Sequence, residues 1–79
     1  MDIEVKVATI LLEKASPRLE STAFSLTLAE GTDVRGLIAV LGIPPGMVGS
    51  VTINKKRQSL EAAIRSGDKV AIIPAISGG

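Results

Sequence analysis

The first residues of the chain alternate between apolar and polar side chains. Residues 3–7 alternate aliphatic side chains with charged ones, the two-residue period of a strand with one exposed face. The parity then shifts, because Ile10 and Leu12 are apolar. This shift predicts either a bulge near Ala8 or burial of both faces of the strand.

A second strand is predicted after a loop. Residues 13–21 contain a Ser-Pro pair among several charges, a composition typical of a loop. Phe24, Leu26 and Leu28 then alternate with small or polar residues, which indicates a strand with one exposed face. A wide hairpin is the simplest connection between the two strands.

One helix is predicted in the middle of the chain. Thr32 and Asp33 are typical of a helix N-terminus, where a hydroxyl accepts a backbone N–H and an acid favours the positive end of the dipole. Gly42 provides a left-handed stop. The residues between them include an apolar stripe at helical spacing: Val34, Leu37, Ile38 and Leu41.

The second half of the chain predicts two more strands and short turns. Residues 51–53 read as a strand, and residues 54–58 as a polar, basic turn. Residues 59–65 are compatible with a single helical turn. Its inward-facing residues would be Leu60, Ala63 and Ile64.

The last strand is almost wholly apolar. Ser66-Gly67-Asp68 is a turn signature, and residues 69–73 follow with one charge at their start. Such a run is expected of a central strand buried on both faces. Pro74 ends the ladder because it has no N–H to donate.

The order of these elements predicts a ubiquitin-like β-grasp of the α+β class. A hairpin, a crossover helix and a central last strand require one main helix packed across a mixed sheet of four to five strands. We assign residues 1–74 to this domain and residues 75–79 to a flexible C-terminal tail.

Composition excludes several kinds of function. The 79 residues are 46% apolar, contain no Cys and no His, and carry a net charge of +1. Thiolate or imidazole metal sites and a Cys nucleophile are therefore excluded, and the balanced charge argues against a nucleic-acid partner. No signal peptide or bilayer-spanning segment is evident, so we expect a cytoplasmic protein with no membrane partner.

A basic segment and a terminal diglycine remain as candidate functional features. Residues 55–57 read as Lys-Lys-Arg, which favours either a solvated turn or a site for an acidic partner.

Gly78-Gly79 follows the predicted central strand. Five residues beyond Pro74 extend about 17 Å at roughly 3.4 Å each. Two residues without Cβ atoms suit a narrow channel in another protein.

Several motifs together resemble the MoaD/ThiS family of sulfur carriers. Residues 51–54, Val-Thr-Ile-Asn, are similar to the family's strand ending in Asn, and residues 66–70 to its Gly-Asp turn. Residues 72–74 and the terminal Gly78-Gly79 resemble its strand, proline and diglycine ending. The resemblance is nearest to the small subunit of molybdopterin synthase.

The resemblance implies that Gly79 is the reactive residue. A ubiquitin-activating-like enzyme would use ATP to adenylate its carboxylate, and a desulfurase or rhodanese-type donor would supply sulfur for a thiocarboxylate. The large subunit of molybdopterin synthase, or another acceptor enzyme, would receive that sulfur. The chain itself would bind no cofactor or metal and would act as a cosubstrate or small subunit, not as an autonomous enzyme.

Residues near the terminus are the expected partner contacts. The resemblance places Ile73, Pro74, Ile76 and Ser77 at the interface, beside Gly78 and Gly79. The chain differs from the molybdopterin subunit in lacking aromatic residues before Pro74 and a second proline at Ala75. Alternatives therefore stay open: sulfur transfer to thiamine or another product, a ubiquitin-like protein modifier, and a β-grasp interaction module with an inert tail.

Overall fold

The computed structural model describes residues 1–75 as one mixed sheet with one α-helix. The elements are β1 Asp2–Val7, β2 Ala23–Thr27, α1 Val34–Leu41, β3 Val48–Ile53, β4 Lys56–Gln58 and β5 Lys69–Pro74. The strand order is β2-β1-β5-β3-β4. Strands β1 and β5 are parallel, and the other neighbours are antiparallel. This is the predicted β-grasp arrangement.

The hydrophobic core lies between α1 and one face of the sheet. All four residues of the predicted helical stripe are buried. In β5, Val70 and Ile72 are buried, whereas Ala71 is half-buried and Ile73 is 40% exposed. The prediction that both faces of this strand are buried is therefore wrong, because the helix covers only one face of the sheet.

The segment after β1 turns away from the sheet. Residues Thr9–Leu11 form a short 3₁₀ turn in which Leu11 is fully buried and Ile10 is 60% exposed. Neither the bulge near Ala8 nor burial of both strand faces is found. The shift in parity marks the end of β1, since the side chains that follow belong to a turn with a different period.

The N-terminus of α1 is capped by Asp33. Its Oδ1 accepts the Gly36 N–H at 2.8 Å, whereas the Thr32 hydroxyl donates to the Ala29 carbonyl at 2.7 Å. The expectation that Thr32 supplies the capping hydroxyl is therefore wrong. At the other end, Gly42 has φ 68°, the left-handed conformation predicted for it.

The basic segment forms a tight hairpin. Asn54 and Lys55 have φ of 52° and 72°, as a two-residue turn with the twist of its strands requires. Strand β4, Lys56–Gln58, then pairs with β3. The predicted turn over residues 54–58 is therefore only two residues long.

Residues 59–65 do not form the expected helical turn. The carbonyls of Leu60 and Ala62 accept the backbone N–H groups of Arg35 and Val34 at 2.8 and 3.1 Å. The first N–H groups of a helix have no partner inside the helix. Because residues 60 and 62 supply these partners, this segment lies along the start of α1. Ile64 is buried as expected and Leu60 half-buried. The third predicted inward residue, Ala63, is exposed.

Candidate functional site

The central strand β5 brings the chain to one end of the sheet, where the last described residues lie. We call residues 73–75 the tail root. Ile73 lies opposite Ser50, and Pro74 lies opposite Val48. The Ala75 N–H donates to the Met47 carbonyl at 2.8 Å. The chain is therefore bonded to the start of β3 as far as Ala75, a residue that the sequence assigned to the tail.

Gly49 makes this close approach of two backbones possible. The register between β3 and β5 shifts between Val48 and Ser50. A Cβ atom at Gly49 would lie 2.7 Å from the Pro74 oxygen and 2.9 Å from the Ala75 Cα, closer than van der Waals contact permits. Gly49 is not among the site residues predicted from the sequence. Its signal was a glycine before the predicted strand, a position where bulges and close approaches are common.

The two chain segments that meet at the tail root carry no charge. Residues 36–53 and 70–75 contain no Asp, Glu, Lys or Arg. Met47, Val48 and Pro74 are half-buried, whereas the Ile73 side chain is exposed on the open face of the sheet, which Lys6 shares through its pairing with Ala71. A partner that covers these two segments therefore buries apolar atoms without removing water from a charge of either segment, which is the costly step in burying polar groups.

Side-chain hydrogen bonds of Asn54 and Asp68, which we call the clasp, hold the opposite end of β5. Asn54 Oδ1 accepts the Lys69 N–H, and Asn54 Nδ2 donates to Asp68 Oδ1, both at 3.0 Å. Asp68 Oδ2 accepts the Arg65 N–H at 2.8 Å. Asn54 and Asp68 belong to two of the motifs that carry the family resemblance. In the structure they fix the turn into β5 and the β3–β4 hairpin to each other.

The basic segment lies away from the tail root. Lys55, Lys56 and Arg57 are all exposed and follow the C-terminal end of β3, whereas the tail root contacts its N-terminal end. These charges therefore do not contribute to the candidate site.

Side-chain chemistry is sparse in the part of the chain that the structure describes. Within residues 1–75, His, Cys, Asp and Glu form no group of three or more suited to a metal ion. No helix of that part is long and apolar enough to cross a membrane. The described site offers an exposed apolar side chain at Ile73 and fixes the path of the chain as far as Ala75.

The structure brings together two of the predicted site residues. Ile73 and Pro74 are consecutive residues of the tail root, with side chains on opposite faces of β5. Ile76, Ser77, Gly78 and Gly79 lie outside the described residues, so their roles stay predictions. The unforeseen contributors are Gly49 and the Met47 carbonyl.

Comparison with protein families gives a match over most of the chain. A model of the ThiS family matches residues 10–79, which includes the clasp, the tail root and the terminal diglycine. A search of curated proteins returns no match.

Solved structures with the same fold match nearly the whole chain. A putative molybdopterin converting factor subunit 1 from Pyrococcus furiosus has a TM-score of 0.73 at 19% identity, covering 96% of this chain and 99% of the other. Small archaeal modifier protein 1 from H. volcanii has a TM-score of 0.70 at 19% identity, covering 95% and 98%. A complex of subunits 1 and 2 of the molybdopterin-converting factor from Helicobacter pylori gives 0.61 at 20% identity, covering 100% of both chains.

Proposed function

Since this chain belongs to the ThiS family of ubiquitin-like sulfur carriers, we propose that it carries sulfur as a thiocarboxylate on Gly79 for molybdopterin synthesis. The observation that carries the proposal is the position of the terminal Gly78-Gly79 beyond a sheet-bound tail root. The reactive group on this account is the main-chain carboxyl, which needs no catalytic side chain from this protein.

The chemistry begins with activation of an unreactive group. A carboxylate oxygen of Gly79 attacks the α-phosphate of ATP on an activating enzyme, forming an acyl adenylate and releasing pyrophosphate. The terminal sulfur of a donor persulfide then displaces AMP, and a thiol cleaves the resulting S–S bond. The products are a Gly79 thiocarboxylate and a disulfide on the partner proteins.

The described residues contribute positioning. The bond from the Ala75 N–H to the Met47 carbonyl and the close fit of Gly49 against Pro74 fix where the tail leaves the sheet. A fixed root reduces the conformational freedom lost when the tail enters a partner. The exposed Ile73 side chain supplies apolar contact area for the activating and acceptor enzymes.

Molybdopterin synthesis is the pathway best supported. Two of the structural neighbours are named as molybdopterin-converting factor subunits, and one of them is in complex with a second subunit. By analogy, the acceptor here is a large subunit that receives the tail. The corresponding carrier for thiamine or another thiolated product uses the same Gly79 chemistry and differs only in the acceptor.

A second candidate is protein modification. The likeness to small archaeal modifier protein 1 favours a ubiquitin-like modifier whose Gly79 carboxyl is transferred to lysine amines. Both candidates share the acyl adenylate and diverge at the nucleophile, which is sulfur in one and an amine in the other. The last tryptic site before the terminus is Lys69, so tryptic peptides whose lysine carries residues 70–79, absent in a strain that lacks Gly79, would identify the modifier.

Deletion of Gly78 and Gly79 tests the proposal in the cell. We expect loss of molybdenum-cofactor activity with an unchanged unfolding midpoint, because the described core lies within residues 3–72. The matched control replaces the exposed Lys14 by alanine and keeps the tail. If the diglycine deletion retains full cofactor activity, the tail is inert and the carrier proposal fails.

Complementation separates the pathways. The wild-type gene is placed in strains that lack the sulfur carrier for molybdopterin or for thiamine. Rescue of the molybdopterin strain supports the assignment. Rescue of the thiamine strain alone would overturn the pathway but leave the chemistry of Gly79 intact.

A further inference from the structure

The two edges of the sheet differ in charge. Strand β4 is three residues long and includes Lys56 and Arg57, which continue the basic run that begins at Lys55. A short, charged edge strand is a common protection against pairing with another strand. Strand β2 is the other edge. Residues 21–29 around it contain no charge, no Pro and no Gly, so none of the usual protective residues is present within it.

The hydrogen-bond pattern shows which groups of β2 face outward. The Val7 N–H donates to the Thr22 carbonyl and the Leu28 N–H to the Met1 carbonyl. Because bonded and non-bonded pairs alternate in an antiparallel ladder, Phe24 and Leu26 also bond to β1. The backbone groups of Ala23, Ser25 and Thr27 therefore point away from the sheet.

One of these three outward positions is already satisfied within the chain. The Ser21 hydroxyl donates to the Ala23 carbonyl at 2.8 Å and accepts the Ala23 N–H at 3.2 Å. Ser21 therefore closes the edge at Ala23. The outward donors and acceptors of Ser25 and Thr27 remain available to another strand.

We propose that β2 pairs with β2 of a second copy of this chain, antiparallel, about a two-fold axis at Leu26. Ser25 then bonds to Thr27 of the second copy, and Leu26 contacts its own counterpart. An axis at Ser25 would instead require the Ala23 groups that Ser21 occupies. The pairing is isologous, so it closes at a dimer and leaves no free β2 edge.

The side chains along this register are compatible with the dimer. Phe24 and Leu26 are half-buried in the single chain, and the register places Phe24 opposite Leu28 of the second copy. No charge faces a like charge within the paired residues. Two uncharged edge strands without Pro, Gly or a bulge are prone to pair with each other.

The proposal does not depend on sulfur chemistry. The tail root is formed by β5 and β3, and β1 separates β5 from β2. Both tails of the dimer are therefore free to meet partners. A failure of either proposal leaves the other standing.

Sedimentation equilibrium with Ser25→Pro tests the dimer. The Ser25 N–H points outward, so proline leaves the β1 ladder intact and removes two intermolecular bonds, one from the Ser25 N–H of each copy. We expect wild type to self-associate at high micromolar concentration and Ser25→Pro to associate about tenfold more weakly. The matched control is Arg57→Pro, whose N–H faces the free edge of β4, and it should associate like wild type.

Two results of that experiment would overturn the proposal. One is a monomeric wild-type protein throughout the concentration range. The other is equal weakening of association by both proline variants, which would show a general effect of the substitution.

A cysteine variant tests the axis even if Ser25→Pro fails to fold. The chain has no Cys, so Leu26→Cys introduces a single thiol on the proposed axis, where opposed Cβ atoms lie within disulfide range. With oxidised glutathione, we expect Leu26→Cys to form a covalent dimer much faster than Arg57→Cys. Equal rates for the two variants would contradict the pairing.

Discussion

Gly49 is a residue whose importance comes from its neighbour in space. It lies where β3 and the tail root approach each other, and the Pro74 oxygen occupies the volume that a Cβ atom would need. The chain offers a matched glycine at Gly46, which has nothing within 4 Å of the corresponding position. Comparing the two separates the contact from the general effect of replacing glycine.

We predict that Gly49→Ala separates the tail root from β3. The added methyl must displace backbone, so we expect a loss of about 1–3 kcal/mol of unfolding free energy and faster hydrogen exchange at the Ala75 amide. Gly46→Ala should change stability by less than about 0.5 kcal/mol. Urea unfolding and amide exchange measure both effects. Equal behaviour of the two variants would show that the close approach at Gly49 is not needed.

Single residues could be predicted from the sequence where the local pattern is sufficient. Gly42 follows from its place after the helical stripe, whereas Pro74 does not end the ladder as predicted, because the Ala75 N–H still donates to the Met47 carbonyl. Gly49 and the Met47 carbonyl act through β5, more than twenty residues away. Their role depends on the strand register, which no local pattern contains.

At the scale of elements, α1 is defined by signals at both of its ends. Asp33 caps the first turn and Gly42 ends the last one. The first backbone N–H groups of α1 also donate hydrogen bonds to the carbonyls of residues 60 and 62. Residues 59–65 therefore form one tight turn, in which the Ala62 N–H donates to the Ser59 carbonyl, and do not form the predicted helical turn, because the carbonyls of residues 60 and 62 bond to α1.

We predict that Asp33→Ala destabilises the fold by about 1 kcal/mol, the usual cost of losing an N-cap. The carboxylate is the acceptor for the Gly36 N–H, and alanine offers no replacement. Asp33→Asn keeps an acceptor oxygen and should lose much less. Thermal and urea unfolding of the two variants measure the difference. A loss as large for asparagine as for alanine would show that charge, and not the hydrogen bond, stabilises this helix start.

At the scale of the whole molecule, the fold could be predicted because several patterns agreed. The alternation in β1 and β2, the capped helix and the apolar β5 together leave few arrangements of one sheet and one helix. The error about β5 has one cause: the helix covers only one face of the sheet. Ile73 is consequently exposed on the open face and not buried, which places an apolar side chain at the tail root.

On the proposed function, the working group of this molecule is the carboxyl of Gly79, which follows the tail root in the chain. Its chemistry depends on a free main-chain carboxyl. A variant with one alanine added after Gly79 converts that carboxyl into an internal amide and leaves residues 1–75 unchanged. This variant is the matched control for any test of the terminus.

Intact-mass spectrometry tests the claim most directly. The purified chain is incubated with the activating enzyme of its own host, ATP and a persulfide sulfur donor. The account predicts a species in which one oxygen of the Gly79 carboxyl is replaced by sulfur, and no such species for the alanine-extended variant. A wild-type mass that stays unchanged while the same enzyme thiolates its own established carrier would contradict the account.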